Sequence, residues 1–226
     1  RSTGLIVAWS LCGAGPATGQ GVAATVDQGS VSRLPPPAHI PVEVLMDAYS
    51  SGRFPMCHED GELYWHDPDP RAVFPLAAIR PNDRLQRLIR SGRFTVTRDT
   101  AFQAVIRACA DRDETWIDVR IIASFQALYN AGHAHSIEVW RADELVGGIY
   151  GLALRGAFFG ESMFSRESNA GKVAFYELAR HLNERGYVLF DSQYINPFTA
   201  QLGAVEIPKR LFRVHLAEAM ALDIQF

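Results

Sequence analysis

Ala157-Phe-Phe-Gly-Glu-Ser-Met-Phe-Ser165 is a short apolar run with a single carboxylate, Glu161, near its centre. Its length and its β-forming residues predict a strand, whose side chains alternate between two faces. Strict alternation puts Phe159, Glu161 and Met163 on one face and Phe158, Gly160, Ser162 and Phe164 on the other. Both sets are largely apolar, so the strand is expected to be central in a sheet and covered on both sides. A carboxylate in that setting needs a hydrogen-bond donor or a cation. Either a structural arginine pairs with Glu161, or the residue belongs to a functional site.

Tyr187-Val-Leu-Phe190 has the same character and then turns polar at Asp191-Ser-Gln193. In strand geometry Asp191 and Gln193 point the same way, roughly 7 Å apart. The intervening Ser168–Arg185 reads as a helix, which makes the two strands a β–α–β unit with parallel neighbours. Polar groups at the carboxyl ends of such strands are favoured sites in open α/β sheets. Glu161, Asp191 and Gln193 are therefore expected to converge.

Working outward, short helices are predicted over Val42–Ser51, Asn82–Ile89, Ala101–Ala110 and Val119–Asn130. Leu63–His66, Ala72–Phe74 and Phe94–Thr97 read as short strands. His135–Arg141 and Glu144–Leu154 join Ala157–Phe164 through tight turns into an antiparallel meander. After Tyr187–Gln193, Asn196-Pro197 caps a short helix ending at Gly203, Val205–Ile207 is a last strand and Lys209–Ala221 a closing helix. Two helices, three antiparallel strands, a helix, a parallel strand and a helix are the order of an α/β (α+β) acyltransferase fold of the GNAT type. Residues 1–37, rich in Gly, Ala, Ser, Thr and Pro, read as a tail or linker, residues 38–70 as a small N-terminal subdomain, and residues 71–226 as the main domain.

A formal net charge of −3 over 226 residues excludes a generally basic nucleic-acid coat but not a local basic face. The densest basic stretch is Arg80, Arg84, Arg87, Arg90, Arg93 and Arg98, in which Arg84, Arg87 and Arg90 share one helix face. Such a stripe is either a solvated face or a track for phosphates. Three scattered cysteines suggest neither a disulfide framework nor a zinc knuckle, and a reducing compartment is expected. No apolar run is long enough to span a membrane. Leu5–Cys12 bears a faint likeness to a secretory signal. His133 and His135 share a strand face without an evident third ligand, so no metal is expected. Ser168-Asn-Ala-Gly-Lys172 lacks the first glycine of a P-loop, Arg166 standing there.

Gly160-Glu-Ser-Met-Phe-Ser165, Asp191-Ser-Gln193, Gly203-Ala-Val-Glu-Ile-Pro208 and His133-Ala-His-Ser-Ile-Glu-Val-Trp140 together resemble the leucyl/phenylalanyl-tRNA–protein transferases. So do Glu144-Leu-Val-Gly-Gly-Ile-Tyr-Gly151, Phe54-Pro55 and Pro68-Asp-Pro-Arg-Ala-Val73, in order along most of the chain. The resemblance implies a GNAT-like fold and transfer of Leu or Phe from aminoacyl-tRNA to proteins beginning with Arg or Lys. Such tagging marks proteins for degradation. It implies a cytoplasmic enzyme without cofactor, and a monomer is expected. The matching Asp191 and Gln193 would serve proton handling, while Glu161 is the candidate for the acceptor's cationic side chain, with Asp191 the other. Ile149, Phe158 and Met163 would form an apolar pocket for the transferred residue, with core packing the alternative, and Ser162 lies among the substrate-binding positions. Trp116 would stack on the terminal adenine. Arg80, Arg84, Arg87 and Arg90 would follow the tRNA phosphates.

The chain departs from the family in three places: Met56 stands where many relatives have Trp, Phe198 where the family usually has His, and a Gly/Leu-rich entry segment is absent. The alternatives are a non-catalytic relative that binds tRNA or basic N-termini, or a related acyltransferase with another donor. The chain lacks the Gly-rich turn that holds the pyrophosphate of acetyl-CoA, which argues against that donor.

Overall fold

The computed structural model describes residues 39–112 and 115–226. The tail expected over residues 1–37, with its apolar run Leu5–Cys12, lies outside the described residues. The chain opens with α1 (Val42–Ser50) and a hairpin of β1 (Phe54–Cys57) and β2 (Leu63–His66). β3 (Arg71–Phe74), α2 (Asp83–Arg90), β4 (Thr95–Arg98), α3 (Phe102–Ala110) and α4 (Val119–Asn130) follow. The meander is β5 (Ala134–Arg141), β6 (Glu144–Leu154) and β7 (Ala157–Ser165). Then come α5 (Ala170–Arg185), β8 (Leu189–Gln193), α6 (Pro197–Gln201), β9 (Val205–Ile207) and α7 (Lys209–Met220).

Seven strands form one sheet in the order β4-β5-β6-β7-β8-β3-β9, which places β7 in the middle as expected. β7 and β8 run parallel, joined through α5, and the other neighbours run antiparallel. The expected order of helices and strands around the meander is the one observed, and the fold is mixed α/β. Element ends shift by a residue or two from the sequence reading. α5 starts at Ala170 rather than Ser168 because Asn169 takes a left-handed conformation, φ 70°. Among the described residues no helix is long and apolar enough to cross a membrane.

Two apolar layers cover the sheet. One packs Tyr49 of α1, Phe102 and Val105 of α3, Phe125 of α4 and Phe212 of α7 against Phe159 and Phe164. The other packs α5, through Val173, Phe175 and Leu178, against Ile149, Phe158 and Met163. Met163 therefore does not share the face of Phe159, and the alternation expected along β7 is broken. The cause is a β-bulge. Tyr150 pairs with Ser162 and Gly151 with Gly160, leaving Glu161 as the extra residue on β7. One extra residue reverses every later side chain in the strand. Gly151 makes the bulge possible, since a Cβ there would stand 2.2 Å from Phe159 O and 2.5 Å from the Phe158 ring.

The parallel pairing of β7 and β8 runs through Ala157↔Leu189 and Phe158↔Phe190 to Phe159↔Asp191. Beyond that point β7 continues to Ser165 without β8 beside it. The pairing ends where the sequence turns polar, and the bulge aims Glu161 at Gln193 on β8.

Candidate active site

Asp191 and Gln193 close β8, both fully buried. Arg71 on neighbouring β3 reaches across to Asp191 with two parallel hydrogen bonds, Nε to Oδ1 at 2.9 Å and Nη2 to Oδ2 at 2.6 Å. Its third arm, Nη1, donates to Gly52 O at 2.9 Å. The guanidinium lies between Phe54 and Phe212, 4.7 and 4.4 Å from the ring centroids. Every group that a buried guanidinium needs is thus supplied.

Asp191 Oδ1 also accepts from the backbone N–H of Gln193 at 2.9 Å. Gln193 has φ 64°, a left-handed conformation that costs a non-glycine residue on the order of 1–3 kcal/mol. The carboxylate holds that turn in place. The turn in its turn sends Gln193 Nε2 to Glu161 Oε1 at 2.9 Å. Tyr49 Oη of α1 donates to the same Oε1 at 2.8 Å, while Oε2 is buried without a partner among the described residues. The three residues singled out in the sequence do converge, but the arginine goes to Asp191 and not to Glu161.

Glu161 therefore sits among neutral donors in a dry site. Burial pushes its carboxyl from the ordinary 4.5 up to about 8, and the nearby charge of Asp191 adds to the rise. The hydrogen bonds from Tyr49 and Gln193 and the charge of Arg71 act against it. Burial, and then the Glu161 charge, raises the Tyr49 phenol well above its ordinary range, which keeps it a donor.

The other candidate residues divide by face. Trp116 and Met56 both join the layer that contains Tyr49, at 6% and 5% exposure. They are neighbours through the backbone, Cys57 N–H donating to Trp116 O at 3.4 Å. Ile149, Phe158 and Met163 lie in the opposite layer, against α5, as a buried cluster. A cavity of 270 Å³ opens beside Met163 and is lined by Phe164, Ser165, Gly171, Lys172 and Phe198. Ser162 is buried, its hydroxyl beside the Cys109 thiol. Arg80, Arg84, Arg87 and Arg90 are exposed as a basic stripe needs, Arg80 and Arg90 lining one groove. Arg93 is taken up by Glu167, and Arg98 lies against His181. His135 gives Nδ1 to Asp99 Oδ2 at 2.8 Å.

Two site residues escaped the sequence reading. Arg71 was visible only as part of Pro68-Asp-Pro-Arg-Ala-Val73, where the prolines announce a turn and nothing marks the arginine as buried. Tyr49 reads as one apolar position of α1, and its hydroxyl finds Glu161 only through the tertiary fold.

The profile described as "Leucyl/phenylalanyl-tRNA protein transferase" matches residues 73–217, and that of the family's N-terminal domain matches residues 39–69. A leucyl/phenylalanyl-tRNA–protein transferase of Gloeobacter violaceus is 50% identical over 185 residues, covering 81% of this chain and 96% of that protein. One of Ruegeria pomeroyi is 46% identical over 183 residues, covering 80% and 87%. Fold and relatives together define an aminoacyltransferase. The chain belongs to the leucyl/phenylalanyl-tRNA–protein transferase family.

The state of Glu161 has a measurable consequence for stability. A folded pKa near 8, above the ordinary 4.5, means that the folded protein holds a proton the unfolded chain releases. That contribution is complete below pH 4.5 and is lost as the pH rises towards 8. Glu161→Gln removes the titration, so its Tm relative to the native protein is expected to climb between pH 5 and 8.5 in thermal denaturation. A difference that stays flat across that range would contradict the assignment.

Proposed function

We propose that this chain transfers leucine or phenylalanine from aminoacyl-tRNA to the α-amino group of proteins beginning with Arg or Lys, marking them for degradation. A charged-tRNA donor implies a cytoplasmic setting. The observation that carries the reading is Gln193, held in a strained turn by the Arg71–Asp191 pair and bridged through its amide to a buried, partly unsatisfied Glu161.

The donor is an activated ester, and an α-amine with a pKa of about 7.7–8.0 is partly neutral at physiological pH. The chemistry therefore asks mainly for placement of nitrogen against carbonyl. With its N–H₂ group turned to Glu161, the planar Gln193 amide presents its carbonyl oxygen the other way, where an attacking amine can donate to it. The amine nitrogen forms the new C–N bond and the ester C–O bond breaks. The amine's proton leaves with the terminal ribose oxygen, so the balance needs no co-reactant. Asp191 acts here as a positioning residue, since both its oxygens are committed to Arg71 and to the Gln193 backbone. Glu161 reads the acceptor: a basic side chain would ionise the carboxyl and occupy the free Oε2.

The two faces of the sheet divide the donor. Its terminal base goes to the Trp116 and Met56 side, its Leu or Phe side chain to the cavity beside Met163, and the ester to the point where the pairing of β7 and β8 ends. Met56 and Phe198, two of the departures from the family pattern, make no hydrogen bond to Glu161, Asp191 or Gln193. The array is intact without them, which favours turnover over a binding-only relative.

Incubating the protein with Leu-tRNA or Phe-tRNA and an Arg-initiated peptide is expected to give the extended peptide, and Glu161→Gln to raise the apparent KM for that peptide about 10-fold or more. Peptides beginning with a neutral residue should lose much less. No product from any charged tRNA would refute the function. Equal losses for basic and neutral peptides would refute the role of Glu161.

The exposed stripe yields a separate expectation. Replacing Arg84, Arg87 and Arg90 together by Gln should weaken charged-tRNA binding and reduce the salt slope by up to about 0.9 per lost contact. Transfer from a minimal aminoacyl-nucleoside donor should remain as it was. Equal damage with both donors would assign the stripe to folding.

A further inference from the structure

Tyr150 of β6 and Ser162 of β7 are direct partners across the bulge, so their side chains share one face of the sheet. Both hydroxyls are buried, and among the described residues Tyr150 Oη has no hydrogen-bond partner and Ser162 Oγ has only the Cys109 thiol beside it. Glu161 Oε2 and Trp116 Nε1 are likewise buried with no partner among the described residues. So are all three nitrogens of Arg112, which follows α3 by two residues and precedes Trp116 by four.

These orphans occupy one region. Cys109 on α3, its thiol pushed up to about 12 by burial, lies within reach of both Ser162 and Arg112. Tyr150 feels the charges of Glu161 and Arg112 together. A guanidinium deprived of water and of any acceptor is among the least tolerable groups a fold can bury. A native fold leaves few buried polar groups unmatched, and a cluster of them beside a candidate active site calls for the group that completes it.

The chemistry selects that group. Arg112 demands an anion, and a planar guanidinium suits the oxygens of a phosphate. The Tyr150 phenol, its pKa raised well above the ordinary range by burial, stays a proton donor beside it. The acceptor begins with a cation and would be repelled by Arg112. The donor carries a phosphate at each nucleotide, and Trp116, on the same connection, is the candidate platform for its last base. We propose that Arg112, backed by the hydroxyls of Tyr150 and Ser162, seats the phosphate of the donor's terminal nucleotide. The proposal rests on the aminoacyl-tRNA reading above and assigns this residue cluster a ligand group within it.

Equilibrium binding of adenosine 5′-monophosphate and of adenosine, compared by calorimetry, tests it without relying on transfer. The native protein is expected to hold the monophosphate about 10-fold more tightly or better, through charge-assisted hydrogen bonds. Arg112→Gln should abolish that preference and leave adenosine binding unchanged. Tyr150→Phe should narrow the preference several-fold. The Tm of Arg112→Gln should equal or exceed that of the native protein, because an unpaired buried cation has been removed. A native protein without preference for the monophosphate, an Arg112→Gln variant that loses both ligands alike, or one with a lowered Tm would each overturn the proposal. Phosphate preference through Arg112 in a protein that transfers nothing would refute the transferase reading and leave the anion seat standing.

Discussion

Arg71 and Asp191 meet in the dry interior of the sheet, and the geometry of the candidate site depends on that contact. Their side chains are 1% and 0% exposed. Removing one partner of such a pair typically costs about 3–5 kcal/mol, because the other charge is left buried alone. The pair does more than join β3 to β8. Asp191 has oxygen to spare after meeting the guanidinium, and with it binds the Gln193 backbone N–H. A left-handed turn that the residue would not choose alone is thereby held, and the Gln193 amide is delivered to Glu161. Strain that persists only because its surroundings impose it is typical of functional positions.

The second constraint is the bulge. Without the extra residue, Glu161 and Met163 would share a face and the two apolar layers would be mixed at the centre of the sheet. With it, Glu161 belongs with Tyr49 and Gln193, and Met163 belongs with α5. The pairing of β8 with β7 ends just before this point, and the carboxylate meets the Gln193 amide there. Placement, bulge and parting strands together hold Glu161 and Gln193 against each other in a buried site.

Much of this was legible beforehand, for reasons that concern particular residues. Glu161 and Asp191 stood out as carboxylates in apolar strand sequences, where burial demands an explanation. The helix between the strands made them parallel neighbours, so their convergence followed from topology. The partner of Asp191 did not. Arg71 lies 120 residues away in sequence, and only the insertion of β3 beside β8 makes it a neighbour. The bulge was equally hidden, since a slip of one residue leaves no periodic mark beyond the glycines at 151 and 160. Trp116 was identified as an aromatic platform, yet its burial beside β1 depends on how the hairpin packs. Local pattern thus located the polar residues, whereas their pairings belong to tertiary structure.

In the proposed mechanism the Arg71–Asp191 pair acts on catalysis by placing Gln193. Arg71→Lys addresses it most directly, because lysine keeps the buried charge and loses the planar fork that makes two parallel hydrogen bonds. The quantity to measure is the single-turnover rate of acyl transfer with both charged tRNA and an Arg-initiated peptide saturating. If the fork sets the position of Gln193, the rate should fall by about 10²-fold, the scale of loss expected when a reacting geometry shifts by about 1 Å. A folded Arg71→Lys protein that transfers at the native rate would contradict the account and leave the pair a purely structural link between strands.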